Sequence, residues 1–349
     1  MSSILVTGAL GYIGSHTCIK LLQNGYDVLA IDSLDNSSID VLSSIKEIVN
    51  KDNFNNNIRL VFEKGDLRNQ KWLNNIFRRF SNDFSPISAV IHFAGRKSVE
   101  ESIQKPLGYW DVNLNSTLSL LTVMEQNDCA NLVFSSSATI YEPRNFPVNE
   151  NSVLSPVTPY GKTKLAIENI LEDIKRRNEL DWKIANLRYF NPVGCHETGL
   201  IGESSRGKAS NLFPVLMNVI SGKLSKLNIY GNDWPTHDGT CVRDYIHVMD
   251  VANAHIAALE YLNINKPQII NLNVGTGKGT SVLELIESFN RVNNCSVPFL
   301  FTERRNGDLP FVVADINKAL ATLNWKPLKS IDDICKDTWN YVQKSKKIF

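Results

Sequence analysis

Tyr160 and Lys164 stand four residues apart in Thr158-Pro159-Tyr160-Gly161-Lys162-Thr163-Lys164. Thr158 suits a helix N-cap and Pro159 the first helical position, so the phenol and the ammonium fall on one helix face. A free phenol, with a pKa of about 10, is a poor base at neutral pH. A cation about 4 to 6 Å away lowers such a value by roughly 1 to 3 units, into the range where general-base catalysis works. The same spacing also describes two polar residues on a solvated helix, so their surroundings decide the reading.

Those surroundings begin at the N-terminus. Ile4-Leu5-Val6 reads as a short buried strand, followed at once by Thr7-Gly8-Ala9-Leu10-Gly11-Tyr12-Ile13-Gly14 and an apolar-periodic stretch to Leu22. A strand, a glycine turn and a helix let the backbone approach a pyrophosphate while the helix N-terminus offers amide donors. The spacing Gly-x-x-Gly-x-x-Gly departs from the commoner fingerprint, so the context carries the assignment. A second strand, Asp27 to Ile31, ends at Asp32, where an acid accepts from a ribose 2′-hydroxyl. No Arg or Lys follows before Lys46, which favours NAD over NADP. The competing reading is a glycine turn in some other α/β protein.

The chain has 349 residues, 43% of them hydrophobic, with 37 basic and 36 acidic side chains and a net charge of +1. That is ample for a large core, and no basic field exists to attract nucleic acid or an anionic membrane. Six scattered cysteines show no Cys-x-x-Cys spacing and read as reduced thiols. No metal-ligand spacing joins the six histidines; His247 reads as a helix-entry residue and His255 as a surface one. Met1-Ser2-Ser3 leads straight into the first strand, and no apolar run reaches about 18 residues, so a cytoplasmic protein is expected.

Short β-branched runs near Leu60–Phe62, Ala89–Phe93 and Leu132–Phe134 alternate with amphipathic stretches. This is the βαβ rhythm of an α/β fold, a Rossmann-like doubly wound parallel sheet. The helix opened by Pro159 carries Ile167, Ile170, Leu171 and Ile174 on one face. Beyond Asn191 the rhythm breaks among Gly, Pro and Trp, which predicts a smaller mixed α/β substrate-binding domain. The expected division is 1–190, with a returning segment near 243–275, for the dinucleotide, and the rest of 191–349 for the substrate. Lys51 to Asn57 reads as an asparagine-rich loop, and Lys344-Ser345-Lys346-Lys347 as a solvated terminus.

Ligands in such sheets bind at the carboxyl ends of strands, and those ends are polar here: Asp66-Leu67-Arg68, Ala94-Gly95-Arg96-Lys97 and Ser135-Ser136-Ser137. The glycine turn, Ser137 and Tyr160-x-x-x-Lys164 together resemble the extended short-chain dehydrogenase/reductases. Within them the chain is similar to the UDP-hexose 4-epimerases. The resemblance runs nearly end to end, through Leu187-Arg188-Tyr189-Phe190-Asn191-Pro192-Val193-Gly194, Val242-Arg243-Asp244-Tyr245-Ile246-His247-Val248-Met249-Asp250 and Arg304-Arg305-x-Gly307-Asp308-Leu309-Pro310.

The resemblance implies an isomerase that inverts C4 of a UDP-linked hexose with an NAD that stays bound and is regenerated. Tyr160 takes the C4 hydroxyl proton while hydride leaves to the nicotinamide; the 4-keto sugar then turns its other face and hydride returns. Ser137 bonds the reacting oxygen, and Lys164 lowers the Tyr160 pKa. The cofactor residues implied are Gly8, Gly11, Tyr12, Ile13, Gly14, Asp32, Asn36, Asp66, Leu67, Phe93, Ala94, Gly95, Lys97 and Phe190, with Tyr160 and Lys164. Asn191, Asn211, Leu212, Asn228, Tyr230, Arg243, Arg305 and Asp308 grip UDP, where guanidinium forks suit diphosphate oxygens. Arg304 is expected to be solvated. A homodimer through a helical face is implied as well.

Departures from the family pattern carry their own expectations. Glu142 stands where glycine is usual, which questions the turn backbone. Ser33 and Val112 stand where Asn is common, which questions two cofactor hydrogen bonds. Val312 stands beside the sugar C2 substituent, and a small residue there leaves room for an N-acetyl group, bringing UDP-GlcNAc and UDP-GalNAc into range. Gly275-Thr276-Gly277-Lys278-Gly279 lacks both ends of a phosphate loop and reads as the turn before a helix capped by Thr280 or Ser281. A 4,6-dehydratase or decarboxylating relative needs an acid just after the catalytic hydroxyl residue, where this chain has Ala138-Thr139. A non-catalytic NAD-sensing protein needs neither the Tyr-Lys-Ser set nor a uridine clamp.

Overall fold

The computed structural model describes residues 3–51, 59–143, 147–177, 180–204, 211–305 and 307–346. Strands β1 (Ser3–Thr7), β2 (Asp27–Asp32), β3 (Leu60–Lys64), β4 (Ile87–His92), β5 (Asn131–Ser137) and β6 (Lys183–Tyr189) form one sheet with β11 (Ile269–Val274). Its order is β11-β6-β5-β4-β1-β2-β3, and every pairing is parallel. Successive side chains of a strand point to opposite faces, and here both faces are covered. Ile4, Val6, Val28 and Ala30 join one core, while Leu5, Leu29 and Ile31 join the other. That two-sided burial is why these strands read as continuous apolar runs rather than alternating ones.

Helices α1 (Tyr12–Gln23), α2 (Asp40–Lys51) and α9 (Val248–Ile264) cover the first face through Cys18, Ile19, Leu22, Ile45, Val251 and Leu259. On the second face lie α3 (Gln70–Asp83), α6 (Ser116–Gln126) and α7 (Pro159–Arg177). In α7, Ile167 and Leu171 are buried, and Ile170 and Ile174 pack partly buried beside them, as the periodicity predicts. Each such side chain taken out of water contributes about 1.5–3 kcal/mol. Short helices α4 (Val99–Gln104) and α5 (Pro106–Trp110) and a π-helical turn, 111–115, lead into α6.

The remaining elements are smaller. Strands β7 (Asn191–Val193) and β10 (Tyr245–His247) pair in parallel. Strand β9 (Val242–Arg243) lies between β12 (Thr280–Ser281) and β14 (Phe311–Val312), and β8 (Leu227–Tyr230) pairs with β13 (Phe299–Thr302). Helices α8 (Leu212–Ile220), α10 (Val282–Asn293) and α12 (Ile331–Lys346) enclose a separate core of Phe213, Leu216, Leu285, Phe289 and Ile334. A short helix, α11 (Asn317–Leu323), closes against the large sheet. Ser281 caps α10 in a reciprocal box with Glu284, at 3.0 and 2.8 Å, which settles the choice between Thr280 and Ser281.

Two further expectations change. The basic run is not simply a solvated tail, since α12 continues through Lys344, whose ammonium bonds the Thr198 carbonyl; Lys347 lies outside the described residues. Lys51 closes α2, and 52–57 of the proposed loop lie outside the described residues.

Candidate active site

The glycine turn makes close approaches that only glycine permits. Gly8 has φ +66°, and a Cβ there would sit 2.8 Å from the Ala94 nitrogen. A Cβ on Gly14 would lie 2.2 Å from the Gly8 carbonyl oxygen. Helix α1 begins at Gly11 with no side-chain cap and no acid in its first turn. Its leading amides, those of Tyr12 and Ile13 included, therefore suit an anion, and the donor set and tight turn fit the pyrophosphate of a dinucleotide.

Asp32 ends β2 with its carboxylate fixed by three donors: the Leu10 amide at 2.9 Å, the Leu34 amide at 2.9 Å and the Ser37 hydroxyl at 2.8 Å. Asn36 is exposed in the same turn. Ser33 accepts from the Asp35 amide at 3.4 Å. At the end of β4 the Phe93 amide bonds Thr7 at 3.0 Å, and the Ala94 amide bonds the Thr7 hydroxyl at 3.3 Å. Gly95 sits at φ +154° against the Asn113 side chain. Asp66 is gripped by Arg68, which holds it below the usual carboxylate range, and Leu67 is buried in the second core.

Asn113 is the residue that sequence reasoning missed. It is 2% exposed, accepts from the Arg96 amide at 2.8 Å, and donates to the Arg96 carbonyl at 3.2 Å and the Thr163 hydroxyl at 3.0 Å. Val112, its neighbour, is the departure noted from the family pattern. The π-helical turn 111–115 displaces side chains from α-helical register, so Asn113 ties the strand-end loop to α7. The signal was an asparagine one place along.

Ser137, Tyr160 and Lys164 converge as expected. Thr158 caps α7 through a 3.2 Å bond from the Gly161 amide. Ser137, last in β5, lies close enough to the Tyr160 phenol to lower its pKa and accepts from the Thr139 amide and hydroxyl at 3.2 and 3.0 Å. Lys164 is 5% exposed; its ammonium donates to the Ser135 carbonyl at 2.6 Å and lies 5.8 Å from the Tyr160 ring centroid.

Burial dominates the electrostatics of the trio. Burial raises the Tyr160 phenol above its ordinary value, and the nearby Ser137 side chain pulls it back only in part. Burial also pushes Lys164 down to about 8, with Glu168 opposing.

Beneath the trio lies a buried ion pair. Arg188 grips Glu168 at 2.6 and 3.1 Å, and Ser136 donates to Glu168 at 2.5 Å. His255 is a further correction: it is 0% exposed, not a surface residue, and shares a 2.5 Å bond with the Tyr189 hydroxyl while packing 4.7 Å from the Phe93 ring. His247 is the helix-entry residue expected, as the N-cap of α9.

The uridine-side candidates fall on neighbouring small sheets. Arg243 on β9 donates to the Leu309 carbonyl at 2.7 Å and lies 3.7 Å from the Asp308 carboxylate. Val312 on β14 pairs with Arg243 in register and packs in a cluster with Phe190, Ala138 and Leu165, next to Ser137 and Lys164 in sequence. Asn191 opens β7, its amide bonded to Asp244 at 3.1 Å. Asn211 caps α8 ahead of Leu212 without a side-chain bond. Asn228 is exposed on β8, and Arg305 stacks on Tyr230 at 4.0 Å. Arg304 is exposed, where it pairs with Asp233 at 2.8 Å and covers the Trp234 ring at 4.2 Å. Glu142 takes an ordinary backbone, its amide bonded to Val153 at 2.9 Å.

A glycine turn suited to a dinucleotide and a Ser-Tyr-Lys set at a strand end fit a nucleotide-sugar enzyme of the extended short-chain dehydrogenase/reductase class. A family model described as GDP-mannose 4,6 dehydratase matches residues 5–338. A UDP-glucose 4-epimerase of Cyamopsis tetragonoloba is 48% identical over 344 residues, 98% of this chain and 95% of that one. The crystal structure of a UDP-glucose-4-epimerase from Stenotrophomonas maltophila, with bound NAD and formylated UDP-arabinopyranose, superposes with a TM-score of 0.94 at 42% identity and 100% coverage of both chains. That of Bifidobacterium longum, in complex with NAD+ and UDP, gives 0.90 at 40% identity and 100% coverage of both. The chain belongs to the UDP-glucose 4-epimerase family.

Proposed function

We propose that this protein interconverts UDP-galactose and UDP-glucose through a 4-keto intermediate, with NAD held in the glycine turn. The observation that carries the reading is the convergence of Ser137, Tyr160 and Lys164 at the carboxyl end of β5. Gly8, Gly11 and the first turn of α1 hold the pyrophosphate, Asp32 holds the adenosine ribose, and Phe93 to Gly95, Lys97 and Phe190 line the remaining length. NAD, when bound, supplies the hydride acceptor and donor that the side chains lack.

Tyr160 accepts the C4 hydroxyl proton and later returns one, with Ser137 bonding the same oxygen. Lys164, whose charge is lost above a pKa of about 8, favours the phenolate in its charged form. Arg243, Arg305 and Asp308 keep UDP fixed, so the sugar can turn while the nucleotide does not. The segment 1–190 with 243–275 thus serves the dinucleotide, and the remainder of 191–349 serves the sugar nucleotide. Elimination as in a dehydratase lacks its acid, since Ala138-Thr139 follow Ser137.

Val312, beside Phe190 and Arg243, leaves room at C2, so the N-acetylated pair is also turned over. Exposed Ile103, Leu107 and Val157, at 62, 82 and 68%, flank α7 and favour a homodimer through that helical face. Six free cysteines suit the reducing cytoplasm. Incubating the purified protein with UDP-galactose, without added reductant, tests the activity: UDP-glucose appears, and its absence overturns the reading. Running UDP-GalNAc alongside tests Val312, and no turnover of that pair removes the extension.

A further inference from the structure

The glycine turn from Gly8 to Gly14 contains no cation of its own. One is delivered from the end of β4: Lys97 places its ammonium 5.6 Å from the centroid of the Tyr12 ring, at the first position of α1. That ammonium is bonded at 2.6 Å to Glu203. The two partners differ in freedom, since the Lys97 side chain is 47% exposed and that of Glu203 only 8%. A carboxylate so enclosed needs a partner, and its backbone is tied down. Gly202 packs so closely on Cys195 that a Cβ would come within 2.5 Å of the sulfur. The His196 amide bonds the Ile201 carbonyl at 2.9 Å, closing 196–201 into a turn. The start of the same segment is pinned by the Tyr12 hydroxyl, which donates to the Gly194 carbonyl at 2.6 Å.

A flexible lysine loses considerable rotamer freedom on binding an anion. Glu203 removes that freedom in advance, from a fixed point on a different part of the chain. We propose that Glu203 is a positioning residue for the dinucleotide: it holds the Lys97 ammonium over the glycine turn, so that one cation joins the 194–203 segment to the diphosphate and the cofactor stays bound between turnovers. The inference rests on NAD occupying the glycine turn. The opposite outcome is physically definite, because a carboxylate beside a diphosphate repels it, and if that repulsion dominates, removing Glu203 tightens binding.

The test measures NAD release from the purified holoenzyme, by NAD content after gel filtration and by exchange against labelled NAD. Glu203→Gln, which keeps the shape and loses the charge, is expected to release NAD at least about tenfold faster, the scale of one charge-assisted contact. Lys97→Met does the same, and the double variant is no worse than either single one, because both remove one coupled interaction. A purely structural role for Glu203 gives additive losses and lowers the melting temperature even at saturating NAD. Unchanged or slower release from Glu203→Gln overturns the inference. Should Glu203→Gln fail to fold, Lys97→Met and Glu203→Asp, which keeps the charge at shorter reach, give the same reading: retention as long as in the unaltered protein overturns it. An unaltered protein that binds no NAD overturns the functional reading itself, and this inference with it.

Discussion

Lys164 is held in a charged form its surroundings resist, so replacing it should strengthen the fold while ending catalysis. Burial moves its pKa from 10.5 to about 8, a difference of about 3 kcal/mol between the folded and unfolded chain. The sign follows from proton binding. Below about pH 8 both states carry the proton and the full penalty acts on the folded chain; between about 8 and 10.5 the unfolded state binds more protons, so stability rises with pH and the penalty fades. Lys164→Met removes the penalty. It also forfeits the bond to the Ser135 carbonyl, about 1 kcal/mol, and the contact 4.8 Å from the Phe134 ring, roughly 0.5–1 kcal/mol. The net at pH 7 is a gain of about 1–2 kcal/mol. At pH 10.5 the penalty has almost gone, and the variant becomes the less stable of the two. Urea unfolding of both dinucleotide-free chains at the two pH values, followed by tryptophan fluorescence, reads this directly. Equal or lower stability of Lys164→Met at pH 7, or a gain that persists to pH 10.5, refutes the reasoning.

Tyr160→Phe removes the only oxygen proposed to accept the C4 proton, so turnover should fall by about a thousandfold or more, while UDP affinity by calorimetry stays within about twofold; activity near that of the unaltered protein refutes the role. Gly14→Ala places a methyl 2.2 Å from the Gly8 carbonyl oxygen, so the turn must open, and NAD content of the purified protein should drop severely. A variant that retains its NAD shows that the turn does not cradle it.

The sheet was legible because strands buried on both faces are apolar throughout, and because glycine and aspartate mark the first two strand ends in sequence. The Ser137, Tyr160 and Lys164 set was legible for a related reason: two of its members share one helix turn, and the third closes a strand. What escaped depends on contacts distant in sequence. His255 looked superficial until Tyr189 and Phe93 closed over it, and Glu203 had no visible role until Lys97, 106 residues away, reached it. Asn113 was hidden by a π-helical turn that shifts register by one. Spacing reports the distance from Tyr160 to a cation but not the loss of water, and burial raises the phenol here.

Carbon-bound hydrogen at C4 gives the most direct test of the proposed chemistry. UDP-galactose carrying deuterium at C4, converted by the purified protein in ordinary water, should yield UDP-glucose with the deuterium still on C4, because Tyr160 handles only the hydroxyl proton. Deuterium lost to solvent, with protium in its place, would contradict the mechanism.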